Sequence, residues 1–149
     1  MAAGHQVVRF DERKNEWKGY PEAPKILASS IYEDRKGRIW LGGSNSDVCV
    51  YDKALEAWTK YKLVDHLPRL ADKNDFNELD IEAIYQDWSG QMMVGTRLGL
   101  FTFSEGENKW ELVTSRNSGL PTDWVTSISE DKSRRIWIAT SHGVVILDQ

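Results

Sequence analysis

The sequence has little cysteine and histidine, and it lacks any long apolar run. Its 149 residues include one cysteine, Cys49, and three histidines. A single cysteine excludes an intrachain disulfide framework and a metal site built from several cysteines. The absence of any run of about 18 apolar residues excludes a membrane-spanning helix, so no membrane insertion is predicted. The first residues also lack the basic and apolar segments of a secretory signal.

The charge balance argues against nucleic acid as a partner. Lysine and arginine total 19, aspartate and glutamate total 23, and the net charge is -4. Nonspecific binding to nucleic acid needs a basic surface, and this chain is mildly acidic. Hydrophobic residues make up 40% and charged residues 28%, a mixture typical of one folded domain. Seven tryptophans are many for this length, and their spacing bears on the fold.

Three segments of the chain align without gaps. They begin at Ile31, Ile84 and Ile128, and the first two share the pattern Ile-x-x-Asp-x-x-Gly. A second periodic feature is a tryptophan that lies six residues after the end of an apolar run, at Trp17, Trp58 and Trp110. The polar stretch 62–79 lengthens the second interval. A repeat of about 40–45 residues has the length of a propeller blade.

Each repeat is predicted to form four short antiparallel strands, A to D. In the middle repeat these strands span 81–86, 91–96, 99–103 and 110–113. The B strands carry apolar residues at consecutive positions, which is typical of a strand buried on both faces. Stacked blades supply that environment, since each sheet lies between two neighbours. The sequence therefore predicts an all-β fold of β-propeller blades.

The turn between strands A and B carries the pattern Asp-x-x-Gly. The aspartate side chain can accept hydrogen bonds from N–H groups of the turn, and glycine supplies a positive φ. These residues are therefore predicted to be structural turn residues rather than catalytic ones. The third copy has Arg134 in place of glycine, which predicts a strained or differently shaped turn. The predicted turn residues are Asp34, Gly37, Asp87, Gly90 and Asp131.

The repeat resembles the two-component regulator propeller repeat. The shared features are Ile-x-x-Asp-x-x-Gly-x-Ile-Trp-(Leu/Ile)-Gly, a later Gly-Leu, and an apolar-Asp ending. Segment 117–128 is similar to the family's entry into strand A, and the resemblance extends from about residue 7 to 148. The departures are Arg134 for glycine, Met92-Met93 for Ile-Trp, and Gly43 for threonine. The resemblance implies a sensory β-propeller of bacterial hybrid two-component systems, without their kinase chemistry.

The strand pattern predicts half a propeller per chain. One domain, 1–149, is expected to contain strands C and D of a split blade in 1–20 and complete blades in 25–61 and 80–113, with strands A, B and C of a split blade in 121–149. Propellers close with about 4–8 blades, and three blades leave two open apolar faces. We therefore expect a homodimer in which strands A, B and C of one chain take strand D of the other. The ring then has six blades.

A different interpretation is that the chain is a fragment of a longer sensor protein. The two interpretations differ in the expected location. A complete chain without a signal is expected in the cytoplasm, whereas a fragment of a sensor is expected to come from the periplasm.

The connections from D to A and from B to C are expected to lie where the central channel of a propeller opens. They concentrate aromatic, cationic and amide side chains, which suit a polar ligand such as a sugar or an anionic oligomer. The predicted function is a non-catalytic, sensor-like module that binds a small ligand, glycan or protein partner there. No cofactor is predicted. The predicted ligand-binding residues are Lys25, Asn45, Arg97, Arg116, Trp124 and His142.

The alternative function is a propeller lyase or hydrolase acting on a polar or acidic glycan. His142 or His66 would then be the base, and Arg97 or Arg116 would hold a carboxylate. No catalytic residue is assigned, because no acid and base cluster stands out in the sequence. No metal site is predicted either: in the acidic stretch 72–80, Phe76 interrupts the alternation of oxygen ligands that calcium needs. Cys49 lies between two valines and is expected to be a packing residue.

Overall fold

The chain is all-β in the part that the computed structural model describes, which comprises residues 7–44, 47–67 and 79–148. Its strands form four antiparallel sheets in chain order. Short 3-10 segments occur at Leu63–His66 and Glu105–Glu107. In these ranges, no helix has the length and apolar character needed to cross a bilayer.

The four sheets follow one another along the chain. The first is a hairpin of β1 (Val8–Asp11) and β2 (Glu16–Gly19). Sheet I contains β3 (Ala28–Glu33), β4 (Ile39–Gly43), β5 (Asp47–Asp52) and β6 (Ala57–Lys62). Sheet II contains β7 (Ile81–Gln86), β8 (Met92–Thr96), β9 (Gly99–Ser104) and β10 (Lys109–Val113). Sheet III contains β11 (Val125–Glu130), β12 (Ile136–Thr140) and β13 (Gly143–Leu147).

Every strand pairs with the next one within its sheet, so sheets I and II have the order A-B-C-D. Corresponding strands also share one register: Ile39 faces Tyr51, Met92 faces Phe103, and Ile136 faces Leu147. The A–B pairing has a register shift at the start of each A strand in all three sheets. The sequence repeat is therefore also a structural repeat.

In the A–B turns, the aspartate carboxylate accepts hydrogen bonds from backbone N–H groups. In sheet I, the Oδ1 atom of Asp34 accepts hydrogen bonds from the N–H groups of Lys36 and Arg38, both at 2.9 Å. Asp87 and Asp131 accept corresponding bonds in sheets II and III. The fourth turn residue is Gly37 with φ +76° in sheet I and Gly90 with φ +95° in sheet II.

Arg134 adopts the same left-handed conformation as these glycines, with φ +64°. Its N–H donates to the carbonyl of Asp131 at 3.0 Å, as Gly37 and Gly90 do to their aspartates. The turn keeps the common shape, so the expectation of a different shape is wrong, whereas the expected strain is present at Arg134. The shape is kept because the hydrogen bonds to Asp131 outweigh the cost of a left-handed conformation, about 1 kcal/mol for a residue with a Cβ.

Each of these aspartates in sheets I and III also binds a tryptophan of its B strand. Trp40 Nε1 donates to Asp34 Oδ2 at 2.8 Å, and Arg38 Nε donates to the same oxygen at 2.7 Å. Trp137 and Arg135 bind Asp131 in the same way, at 2.9 and 2.7 Å. Burial opposes ionisation of Asp34, but the hydrogen bonds from Trp40 and Arg38 outweigh it, so the pKa of this carboxyl lies below its ordinary value.

The core consists of apolar layers between neighbouring sheets. Between sheets I and II, Trp40 and Val48 pack with Ile81 and Ile84 in one buried cluster. Between sheets II and III, the corresponding positions pack in a second buried cluster. β8 is buried on both faces, as predicted, whereas β12 alternates because Trp137 is exposed. In the single chain, β12 is therefore buried on one face only, because no sheet packs on its other face.

Small residues on the B strands let the sheets approach closely. A Cβ atom added at Gly42 would lie 2.4 Å from Ile81 Cγ2, and one at Gly95 would lie 2.7 Å from Val125 Cγ1. Real Cβ contacts are not this short, so the A strand of each following sheet rests on the backbone of the preceding B strand. The two interfaces between sheets thus have the same geometry.

Replacement of Gly42 by alanine tests this contact. We expect Gly42→Ala to lower the free energy of unfolding by about 1–3 kcal/mol, because the added methyl group must displace Ile81 in a packed layer. The matched control is Gly106→Ala, since nothing lies within 4 Å of a Cβ at Gly106, and we expect a change below about 0.5 kcal/mol. Urea denaturation measures both. Equal effects of the two substitutions would contradict the packing described.

The Asp34 network predicts a pH dependence of stability. Because the pKa of Asp34 is lower in the folded chain, the unfolded chain binds the proton first as the pH falls below about 4. The stabilisation is therefore present above that pH and is lost as the pH falls through the folded-state pKa. Asp34→Asn should lower the free energy of unfolding at pH 7 by about 1–2 kcal/mol. Between pH 7 and pH 3, the free energy of unfolding of this variant should fall by less than that of the unsubstituted chain.

The control for this measurement is Asp52→Asn. Asp52 also caps a turn, through the N–H groups of Ala54 and Leu55, but it binds no tryptophan or arginine side chain in the described ranges. We expect its urea midpoints at both pH values to follow those of the unsubstituted chain. If Asp34→Asn shows the full acid destabilisation, the assigned role of Asp34 is wrong.

Candidate functional site

One end of the sheets brings together an arginine and a tryptophan from different repeats. Arg97 lies in the turn between β8 and β9, and Trp124 immediately precedes β11. The Cζ atom of Arg97 lies 4.9 Å from the centroid of the Trp124 ring, which is a cation–π contact. Arg97 Nε also donates to Glu82 Oε1 at 3.3 Å. Three side chains from two sheets thus form one polar and aromatic cluster.

The backbone holds Trp124 against the next turn of sheet III. The N–H of Ser141 donates to the carbonyl of Trp124 at 3.0 Å. Ser141 Oγ also lies 2.9 Å from His142 Nδ1. His142 therefore lies in the turn that is bonded to Trp124. The fold thus gathers Arg97, Trp124 and His142 at the same edge, although 45 residues separate the first from the last.

The side chains of this cluster are exposed and keep hydrogen-bond donors available to a ligand. Arg97, Trp124 and His142 are all exposed. The two Nη groups of Arg97 donate no hydrogen bond to any residue in the described ranges, since only Nε binds Glu82. A guanidinium with free Nη donors binds a carboxylate with two parallel hydrogen bonds. An exposed tryptophan ring offers an apolar surface beside it, so the cluster combines the two elements that an acidic sugar would need.

The other predicted ligand-binding residues are not joined to this cluster by side-chain contacts. Lys25 lies before β3 and Arg116 lies between β10 and β11, and both are exposed. Neither side chain makes a hydrogen bond or ion pair with another described residue. Asn45 lies outside the described residues. Glu82 was missed by the sequence analysis because a lone glutamate on an A strand carries no pattern that marks it.

A second arginine–tryptophan pair lies at the opposite end of the sheets. The Cζ atom of Arg134 lies 4.9 Å from the centroid of the Trp88 ring. Both residues belong to A–B turns, and the N–H of Trp88 donates to Glu130 Oε2 at 2.9 Å. The arginine that replaces glycine in the third turn therefore contacts Trp88 of the second turn, where the other two turns have Arg35 and Lys132. The two residues that depart from the repeat are thus in contact with each other.

The remaining groups that could perform chemistry are placed apart. The His66 ring lies 6.0 Å from the Trp110 ring, which is on the outer strand of sheet II. Acidic stretch 72–80 lies almost wholly outside the described residues. In the described ranges, no three histidine, cysteine, aspartate or glutamate side chains converge on a point where a metal ion could bind. Burial raises the pKa of the Cys49 thiol to about 11, with a further contribution from Asp47.

A comparison with protein-family models identifies the repeat. The model described as "Two component regulator propeller" matches residues 24–45 and 119–142. These segments extend into the A–B hairpins of sheets I and III. Residues 24–45 and 119–142 are similar to the repeat of that family. The recognition made from the sequence is confirmed, and so is the all-β fold of four-stranded antiparallel blades. The comparison with curated proteins gave no match.

Solved structures share the fold at low sequence identity. One is an extracellular domain described as that of a hybrid two component system, BT4673 of B. thetaiotaomicron, with 18% identity and a TM-score of 0.72; the match covers 95% of this chain and 19% of that one. The corresponding domain of BT3049 has 20% identity and a TM-score of 0.68, with 97% and 18% covered. The chain therefore spans about a fifth of the length of these domains.

A third similar structure is virginiamycin B lyase from Staphylococcus aureus. It has 14% identity and a TM-score of 0.64, and the match covers 98% of this chain and 49% of that one. At such identities the similarity concerns the fold alone. It places sheets I and II as propeller blades and leaves ligand and chemistry to be argued from the residues of this chain.

Cys49 gives a direct test of the packing of sheet I. It is fully buried in β5, and the raised pKa keeps it as a neutral thiol at pH 8. We expect no reaction with a thiol reagent such as Ellman's reagent in the folded chain, and complete reaction of one thiol per chain in urea. Rapid labelling without denaturant would show that sheet I is open at β5.

Proposed function

We propose that this chain is a non-catalytic, sensor-like β-propeller module that binds a small acidic ligand, such as an acidic glycan, at the Arg97–Trp124 cluster. The observation that carries the proposal is the stacked pair itself. Arg97 is oriented by Glu82 on one side and by the Trp124 ring on the other. An arginine held in place loses little conformational entropy when it binds, which favours recognition of a carboxylate.

The class of ligand follows from the chemistry of the pair. The Trp124 ring can pack against the C–H face of a sugar ring, while the free Nη donors of Arg97 bind a carboxylate of that sugar or its neighbour. His142 adds a hydrogen-bonding ring near Trp124. A uronic acid oligomer combines an apolar ring face with a carboxylate on every residue. It therefore fits this cluster better than a neutral sugar does.

The sensor-like role is supported by the kind of proteins that carry the repeat. The matching family model is that of two component regulators. The similar structures include extracellular domains described as belonging to hybrid two component systems. In a module of this kind, binding rather than turnover is the output. We therefore assign this chain to ligand recognition within a sensing system.

Catalysis is not part of the proposal. A lyase or hydrolase would need an acid or base close to the group that holds the carboxylate. In the described ranges, no hydrogen bond joins His142 or His66 to Arg97 or Arg116. His142 contacts Ser141 instead, and His66 lies beside Trp110. Neither histidine is therefore assigned a catalytic role, and an assay for products separates binding from turnover.

Calorimetry with an acidic oligosaccharide tests the proposal. We expect an oligouronate to bind and a neutral oligosaccharide of equal length to bind at least about tenfold more weakly, which corresponds to about 1.4 kcal/mol. Arg97→Ala and Trp124→Ala should each weaken binding of the oligouronate at least about tenfold. Assays for new reducing ends or unsaturated products should show no turnover.

The opposite arginine–tryptophan pair supplies matched controls. Arg134→Ala and Trp88→Ala remove a cation–π contact of the same 4.9 Å distance at the other end of the sheets, and they should leave binding unchanged. The proposal is wrong if these controls weaken binding as much as Arg97→Ala does. It is also wrong if neither sugar binds, or if the chain converts the oligouronate to products.

A further inference from the structure

The repeat provides an internal measure of which faces of the sheets lack a partner. Ile31, Ile84 and Ile128 hold the same repeat position on the A strands. Ile84 is 7% exposed and Ile128 is 9% exposed, whereas Ile31 is 70% exposed. Ile84 and Ile128 are covered by the preceding sheet. The face of sheet I that carries Ile31 is therefore a blade interface without its blade.

Sheet III is uncovered on the opposite face, the one on which a following sheet would pack. Trp137 holds the repeat position of Trp40, and its exposure is 39% against 1% for Trp40. Its neighbours Val144 and Ile146 are also exposed, although the corresponding residues of sheet I are buried. In sheet I these positions pack against the following sheet. The outer face of sheet III thus has the composition of a blade interface and lies open.

A cavity marks the missing inner strands beside sheet I. It has a volume of about 600 Å³ and lies between the β1–β2 hairpin and strands β3 and β4. Its apolar lining includes Val7, Val8, Ile31, Ile39 and Leu41. In sheets II and III, the corresponding face of the A and B strands is covered by the A and B strands of the sheet before. The cavity therefore lies on the side of sheet I where a preceding sheet would pack.

The hairpin already occupies the outer places of that incomplete blade. Tyr20 follows β2, and its ring lies 5.4 Å from the ring of Tyr51 in sheet I. Tyr61 and Phe103 hold the same repeat positions one sheet later, and their rings are 5.3 Å apart. The contact between hairpin and sheet I therefore repeats the contact between sheets I and II. β2 is positioned as a D strand.

A second cavity marks the missing outer strand beside sheet III. It has a volume of about 310 Å³ and is lined by Leu100, Val113, Leu120, Val145 and Leu147. In sheet II, the place beside Phe103, the equivalent of Leu147, is filled by the ring of its D-strand tryptophan, Trp110, with centroids 4.8 Å apart. The D-strand tryptophan of the hairpin is Trp17, which is 69% exposed.

We propose that a second copy of this chain completes both faces. Strands β11, β12 and β13 of one copy enter the cavity beside sheet I of the other, and β2 of that second copy pairs with the edge of β13. Trp17 then fills the cavity beside Leu147. The exchange occurs twice around a twofold axis and closes a ring of six blades. This inference does not depend on the proposed ligand.

The second copy is the favoured occupant because each copy supplies what the other needs. The open face of sheet I needs the inner strands of a neighbouring blade. Sheet III of the partner supplies these strands, and its apolar outer face packs against sheet I. Sheet III requires a D strand with a tryptophan, and the hairpin provides β2. β1 and β13 are both C strands of the repeat, so they cannot pair with the same edge of β2. In the ring, β13 of the partner pairs with that edge of β2, and β1 separates from it.

Light scattering on a size-exclusion peak tests the ring. We expect twice the chain mass of 17.1 kDa and dissociation only on strong dilution. Ile31→Asp and Trp17→Ala should each raise the dimer dissociation constant at least about a hundredfold, because each residue enters a packed interface. Both side chains are exposed in the single chain, so the variants keep its fold, which circular dichroism verifies.

The matched control is Leu55→Asp. Leu55 is also a highly exposed apolar residue, but its side chain lines neither of the two cavities. We expect it to change the dissociation constant less than about twofold. A mass of one chain at every concentration overturns the proposal. A dimer that Ile31→Asp and Trp17→Ala leave intact overturns it as well.

Disulfide trapping tests the register of the shared sheet. In sheet II, Glu111 lies opposite Thr102, and Lys18 and Ile146 hold these two repeat positions. A mixture of Lys18→Cys chains and Ile146→Cys chains, oxidised with diamide, should therefore form a disulfide between the two kinds of chain. Replacing the first partner by Lys14→Cys, in the β1–β2 turn, should reduce the yield at least about tenfold. Equal yields would refute the strand pairing.

Discussion

The packing of one sheet on the backbone of the next is the constraint on which the rest of this structure depends. B strands with apolar residues at consecutive positions need a neighbour on each face. Gly42 and Gly95 let an A-strand side chain of the following sheet approach to contact. Because every sheet uses the same contact, the angle between sheets repeats, and a stack of sheets curves toward a ring. A sheet at either end of such a stack retains an uncovered apolar face.

The two ends of each sheet are stabilised to different degrees. At the A–B turns, an aspartate collects backbone N–H groups, an arginine and a B-strand indole, so these turns are tightly bonded. At the B–C turns, Arg97 and His142 keep hydrogen-bonding groups that the described residues do not use. A scaffold that is rigid at one end can present adaptable polar groups at the other. The ligand recognition that we propose uses the end that carries the B–C turns.

Ring closure and ligand binding are separate inferences, yet they have a common geometric consequence. A twofold ring presents the Arg97–Trp124 cluster twice around a single channel. An oligomeric ligand that reaches both clusters binds the second one at a high effective concentration, so modest affinity at each cluster is enough. The similar extracellular domains are about five times as long as this chain, which covers 19% of one of them.

The repeat determined the architecture from sequence alone. In-register copies of one pattern predicted the strands of the described residues, because apolar runs, turn residues and small residues are local properties that each copy repeats. Aspartate turns and the positions of Ile31, Trp40 and Trp17 in the repeat were also evident. Tertiary structure decided which equivalent residues are buried, since Ile31 and Ile84 differ only in whether a sheet lies before them. It also decided that Arg97 contacts Trp124 and that Arg134 contacts Trp88. Those pairs join turns of successive sheets, and the distance between such turns is set by sheet packing, which no local pattern encodes.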